Sequence, residues 1–342
     1  MMENTEEKNP LTIRVNILTK LWTGDIDGKN SERRLTGIIG SIRWWMEALV
    51  RGLDGFACDP TDTDSKSLYR KCEFDSSTFK KKFNETGSYR KAFEESLKSI
   101  CPVCQIFGCG GLSSAFRWVK KEEDNSSFTL ELIPLRPVSQ ELWWLLDKTL
   151  HIITTYGAVG GKITQKPYPN SDINYGIVEF AYNFSNLHQK KLSDIKTWIK
   201  DIGGRQAVNS SDLPNFKYFW FIPGFHLKKD EINKFLRLDD NGNKINTNLE
   251  DDEEDFYEFL RGNIGESKKI FSFPGKSIEI DEYSPWKKLH ELFYSTIEIE
   301  RLWGYVRDEK DVNKVESILS RLTRKEIIKE KIIIGVDLIE QL

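Results

Sequence analysis

An α+β fold of the strand–helix–strand–strand–helix–strand kind is predicted by three features of the first half of the chain. Residues 11–21 alternate, with Ile13, Val15 and Ile17 on one side and Thr12, Arg14 and Asn16 on the other. Two apolar stripes at helical spacing follow, separated by a hairpin. The first stripe is Ile38, Ile39, Ile42, Trp45, Met46, Leu49, Val50 and Leu53, with Arg43, Glu47 and Arg51 on the opposite face. The hairpin joins residues 115–121 and 128–135 across Glu122-Glu123-Asp124-Asn125. Ser139 is placed as an N-cap ahead of the second stripe, Leu142, Leu145, Leu146, Leu150 and Ile153. Residues 176–182 read as a closing strand. This order is the ferredoxin-like, RRM-like βαββαβ arrangement, an antiparallel sheet with both helices on one face.

Domain boundaries follow from the same reading. Residues 10–184 make one ferredoxin-like domain. It carries a polar, cysteine-bearing insertion near 56–112, helical around residues 89–100. Residues 185–342 make a second, elaborated ferredoxin-like α+β domain. Its expected elements are an amphipathic helix over 192–202, an aromatic strand over 217–222 and an exposed acidic loop over 239–255. Strands at 269–273 and 277–280, helices over 285–301 and 312–331, and a last strand over 332–336 complete it. The fold class is thus α+β, with tandem ferredoxin-like domains and insertions.

At 342 residues the chain is long enough for two such domains, and 39% hydrophobic with 30% charged residues is a soluble globular profile. No run approaches the ~20 apolar residues of a membrane span. The N-terminal Met1-Met2-Glu3-Asn4-Thr5-Glu6-Glu7 is acidic and polar, unlike a secretory signal, so a reducing cytoplasm is expected. There the five cysteines favour metal binding or free thiols over disulfides. Cys101-x-x-Cys104 is half of a zinc site, and Cys58 and Cys72 supply two more thiolates from the same insertion. Cys109 is a substitute ligand, and free buried thiols are the alternative. No other cofactor is called for.

The net charge of -3 argues against a nonspecific nucleic-acid binder. The acidic residues, however, crowd into residues 250–255, while Lys29, Arg33, Arg34, Arg43 and Arg51 lie near one glycine-flanked segment, residues 37–43. That segment reads as a turn opening a helix, whose free N–H groups and positive dipole end suit a phosphate. Gly157-Ala158-Val159-Gly160-Gly161-Lys162 is a second backbone-amide surface of this kind. Candidate RNA contacts are Arg33, Arg34, Gly40, Ser41, Arg43 and Trp44 at the first surface, Arg117 on the sheet, and Gly160, Gly161, Lys162, Gln165 and Lys166 at the second. Solvated surface is the plainer reading of the charged ones, and core packing that of the tryptophans.

Leu35-Thr36-Gly37-Ile38-Ile39-Gly40-Ser41-Ile42-Arg43-Trp44-Trp45, Cys101-Pro102-Val103-Cys104-Gln105-Ile106-Phe107-Gly108 and the loop Gly157 to Lys162 resemble the RAMP superfamily of CRISPR-associated proteins. The likeness is closest to the first-numbered subunit of type III-B (Cmr) effector complexes, with Leu18-Thr19-Lys20-Leu21-Trp22-Thr23-Gly24 as a further counterpart. It is specific over the first half of the chain. The resemblance implies a noncatalytic RNA-binding subunit in antiviral defence, near the 3′ end of the guide RNA. Its partners would be guide RNA, single-stranded target RNA and other Cmr subunits. Two rivals remain: a RAMP-type metal-independent endoribonuclease using His151 or Tyr156, and a protein-only scaffold.

Overall fold

The structure is a computed structural model describing residues 11–24, 33–64, 66–122, 124–161, 163, 175–184, 186–203, 213–240, 243–245, 251–261, 270–273, 278–279, 296–297, 300–323 and 332–342. It is a mixed α+β molecule. The first strand, β1 (Leu11–Ile17), is followed by helix α1 (Leu35–Gly52). The insertion contributes α2 (Ser76–Thr86), α3 (Tyr89–Leu97) and α4 (Pro102–Phe107). The hairpin β2 (Phe116–Glu122) and β3 (Ser127–Pro134), helix α5 (Gln140–Thr155) and β4 (Val178–Tyr182) close the unit. The sheet order is β2-β3-β1-β4, with β1 antiparallel to both neighbours. Ser139 caps α5, its side chain accepting from the Leu142 N–H. Asp75 and Ser88 cap α2 and α3 in the same way.

The second half runs α6 (Leu192–Trp198), β5 (Phe219–Pro223), α7 (Lys229–Phe235), α8 (Asp251–Arg261) and β6 (Ile270–Phe273). It continues with β7 (Ile278–Glu279), β8 (Thr296–Ile297), β9 (Arg301–Tyr305), α9 (Glu309–Thr323), β10 (Ile333–Ile334) and α10 (Gly335–Gln341). Its main sheet has the order β10-β5-β9-β6, all neighbours antiparallel. With β7 and β8 set aside as their own ladder, that order repeats the first sheet strand for strand.

Three expectations need correction. Residue 301 opens a fully buried strand, β9, and does not end a helix. The acidic stretch 239–255 holds the start of α8 from Asp251. Residues 76–86, part of the insertion to which no helix was assigned, form α2. Of the expected helix over 285–301, residues 285–295 lie outside the described residues.

α1 and α5 lie between the two sheets. On one side they cover Ile13, Val15, Phe128, Leu130 and Leu132 of the first sheet. On the other, Trp45 meets Trp303 at 5.0 Å and Phe219 at 5.6 Å, and Tyr156 meets Phe221 at 5.0 Å. The opposite face of the second sheet, Trp220, Ile222 and Leu302, packs a separate core with Ile232, Phe256, Leu260, Val315 and Leu319 of α7, α8 and α9. Covering on both faces explains why β5 (FWFIP) and β9 (RLWGY) are almost unbroken apolar runs, without the alternation of a half-exposed strand.

One polar contact ties the layers. Arg301, 3% exposed, donates from Nη1 to the carbonyls of Thr154 (3.3 Å) and Gly157 (2.9 Å), at the C-terminal end of α5. These carbonyls have no helical partner of their own. Arg301→Met keeps the stem and strands both acceptors. It is expected to lower the unfolding free energy by about 2–3 kcal/mol, read from the urea midpoint; a loss below about 0.5 kcal/mol would show that this contact does not hold the layers.

Candidate nucleic-acid interface and metal centre

α1 starts at Leu35, so Arg43 lies mid-helix and not in the first turn. Its guanidinium donates to Glu47 Oε1 at 2.9 Å, to the Gly108 carbonyl at 3.3 Å and to Cys104 Sγ at 3.4 Å. Burial works against the cation, but Cys104 and Glu47 outweigh it and hold the group protonated. Arg51 is buried on the same face and donates to the carbonyls of Ala57, Cys58 and Pro214. Glu47, also buried, sits between the two arginines. The charged stripe that helical spacing sets opposite the core is therefore roofed by the insertion.

The roof is a thiol cluster. Cys58, Cys72, Cys101 and Cys104 are all buried, and their sulfurs lie within 4.8 Å of one another. Cys58 Sγ is 3.4 Å from Cys104 Sγ and 3.8 Å from Cys101 Sγ. A tetrahedron of Zn–S bonds of ~2.3 Å spaces its sulfurs by about 3.8 Å. Cys101 is the N-cap of α4 and Cys104 lies in its first turn, so one short helix aims two of the four thiols. The Cys101 thiol donates to Cys58, and with Cys104 it pulls Cys58 below the ordinary thiol range, while burial pushes Cys101 up. Four thiols in this array fit a structural zinc ion. Arg43 and Arg51 stand where they offset the double negative charge of a four-thiolate centre. The zinc would fasten the loop before α2 to α4, in a segment poor in aliphatic residues. Cys109 is half-buried and outside the set.

The two glycine segments converge. The Gly160 N–H donates to Ser41 Oγ at 2.8 Å, and Ser41 Oγ donates to the Gly37 carbonyl. The Gly161 N–H donates to the Trp22 carbonyl at 2.6 Å. A Cβ on Gly160, at φ +86°, would lie 2.4 Å from that carbonyl oxygen. These amides are thus used within the protein, and the glycines permit close approach of two chain segments. They do not form the free amide cradle that the sequence suggests.

What stays open is the rim of this junction. Gly40 is exposed, and a Cβ there would meet nothing within 4 Å. Arg34, the exposed N-cap of α1, has no side-chain cap bond of its own, and its backbone N–H donates to Thr23 Oγ1 at 2.8 Å, so Thr23 sits against the helix start. Arg33 is fastened to the β2–β3 turn, donating to the Asp124 carbonyl at 2.8 Å with its guanidinium over Phe128. Arg117 is exposed on the first sheet's outer face. Trp44 packs between Trp45, Phe219 and Tyr305, between the layers. Lys162, Gln165 and Lys166 lie outside the described residues. Trp22 and Tyr175, in edge contact at 6.2 Å, and exposed Lys20, which bridges to Tyr175, stand at the junction without having been singled out as site residues. For Lys20 and Trp22 the family-like segment 18–24 was the only sequence signal, without a residue-level pattern, and Tyr175 had none.

His151, on α5, is largely buried. Burial, then Lys148, lowers its pKa to about 4. It lies one turn from Asp147, whose carboxylate is 3.4 Å from His188 Nε2.

Residues 14–164 match the family model of the RAMP superfamily. The match runs from β1 through the insertion to the glycine loop after α5. The matched stretch covers less than half of the chain. No curated protein and no solved structure matches the chain. Among the described residues no helix is long and apolar enough to cross a membrane.

Two outcomes are expected. Protein purified without chelator carries about one zinc per chain by plasma mass spectrometry. Cys101→Ser loses that metal and lowers Tm; zinc below about a tenth of an equivalent, with Tm indifferent to EDTA, would remove the metal from the account. His151 is neutral in the folded state, and its unfolded counterpart takes up a proton near pH 6.5. Stability it contributes above that pH is therefore lost as pH falls toward 4. His151→Gln should flatten the fall in Tm over this window, and parallel curves for the two proteins would refute the assignment.

Proposed function

We propose that the protein is a noncatalytic RNA-binding subunit of a type III-B CRISPR interference complex. In this reading it contacts guide or target RNA near the 3′ end of the guide. Its two halves act as tandem ferredoxin-like domains, 10–184 and 185–342, and it works in the cytoplasm beside other Cmr subunits. The RAMP match supports the class. The repeated strand order supports the tandem reading.

The observation that carries the reading is the hydrogen bond from Gly160 to Ser41. It joins the two segments that bear the family likeness into one surface, rimmed by Lys20, Trp22, Arg34 and Gly40. A sugar-phosphate chain on this rim meets two cations, an exposed glycine and an aromatic pair. Such contacts are blind to sequence, as a protein that accepts any guide requires. Arg43 serves this surface indirectly, by fixing α1 beneath the thiol cluster. Zinc, in the same reading, is structural.

Gly40→Ala separates binding from folding. Inside a helix, with open space around it, alanine should raise stability by about 0.5–1 kcal/mol. If the RNA backbone approaches there, affinity for single-stranded RNA should fall several-fold in fluorescence anisotropy. Unchanged affinity would take the helix start out of the contact surface. RNA copurified from the native host should be guide-like, with repeat-derived 5′ ends. Metal-independent cutting lost on His151→Ala would instead favour the endoribonuclease.

A further inference from the structure

The insertion holds a second feature that the zinc centre and the glycine junction leave unused. Between α2, α3 and the segment joining β3 to α5 runs a groove of about 880 Å³. One wall is aromatic: Phe74, Phe79, Tyr89 and Phe93 form a connected row. Phe79 and Tyr89 are 5.2 Å apart, and Tyr89 and Phe93 are parallel within 8°. Tyr89 is 66% exposed, an unusual position for a ring of that size. The Arg136 guanidinium stands over Phe93 on the facing wall.

The surroundings of the groove are cationic. Residues 76–98 carry six lysines and arginines against three glutamates, in a chain whose total charge is -3. All three glutamates are already paired: Glu85 with Lys82, Glu94 with Arg90, Glu95 with Lys98. Lys80, Lys81 and Lys91 are exposed and have no carboxylate partner among the described residues. A greasy groove for a protein segment needs no such surplus. Arg90, Lys98 and Arg136 line the groove itself, and the unpaired Lys80, Lys81 and Lys91 stand on the same two helices outside its lining; flat rings with cations in and beside the groove match a strand of stacked bases on a phosphate chain.

We propose that this groove is a second binding site for single-stranded RNA, with bases against the Phe79–Tyr89–Phe93 row and phosphates passing from Arg90, Lys98 and Arg136 in the groove to Lys80 and Lys91 on the helices beside it. The inference rests on the RNA-binding reading and extends it. Ser139, the N-cap of α5, lines the groove, and the C-terminal end of the same helix leads into the glycine loop. The 16 residues of α5 span about 24 Å. The two sites therefore lie about a helix length apart, within reach of one short strand.

The test uses the full chain and a 4-thiouridine-substituted single-stranded RNA of about 12 nucleotides, inside the ~4–16-nucleotide range of single-strand binding modules. Photocrosslinks mapped by mass spectrometry are expected in residues 71–98 as well as at the glycine junction. The Lys80→Glu/Lys91→Glu double variant, altered only at exposed positions, is expected to keep its Tm, lose about fivefold or more in affinity and show a shallower salt dependence. Crosslinks at the junction alone, with affinity intact in the double variant, would overturn this site and leave the RNA-binding reading standing. Absence of RNA binding anywhere would end both. RNA affinity intact in a double variant that drops out of the assembled complex would reassign the groove to a protein partner.

Discussion

The constraint on which the first unit depends is the charged row Arg43, Glu47, Arg51 along the covered face of α1. Glu47 and Arg51 are buried and Arg43 is half-buried, and charged groups so placed are tolerable only when each is paired and hydrogen-bonded. Here the partners come from outside the helix: the carbonyls of Ala57, Cys58, Gly108 and Pro214, and the sulfur of Cys104. The insertion is therefore not an appendage to the βαββαβ unit. It supplies the acceptors that let a charged helix face be buried, and the helix supplies the cations that let four thiols crowd together. Each would be unfavourable alone.

The other faces of α1 are used as fully. One packs on the first sheet, and the face bearing Trp44 and Trp45 packs on the aromatic face of the second sheet. Trp45 also donates its indole N–H to the Ala158 carbonyl at the root of the glycine loop. A helix engaged on all sides fixes the position of its own N-terminus, which is the end exposed at the rim. Precision at the candidate RNA surface thus comes from contacts that never touch a ligand.

Much of the first unit was legible in the chain. The alternation around Ile13 and Val15, the stripe from Ile38 to Leu53 and the Ser139 cap are local signals, and the structure realises them. The Cys101-x-x-Cys104 pair was legible too, but the association of Cys58 and Cys72 rests on long-range folding. The failures share one cause. Periodicity reports which side of an element is apolar, not what covers the other side. The Arg43 stripe looked solvated because nothing local says that an insertion folds over it. β9 was missed, its first residue Arg301 falling at the end of an expected helix and the rest left unassigned, because burial on both faces erases its alternation. Gly160 and Gly161 looked like ligand-facing amides because sequence shows a glycine's freedom, not its neighbour.

The Gly160–Ser41 contact also has a temporal meaning. It joins residues 119 positions apart, with the insertion, the hairpin and α5 synthesised between them. During synthesis the helix start leaves the ribosome long before the loop that completes its rim. A nascent chain displaying only the first half of the junction has no finished groove to offer. In the proposed RNA-binding reading, capture of a strand would thereby be deferred until the domain has closed upon itself, and a truncated product would lack the means to sequester it.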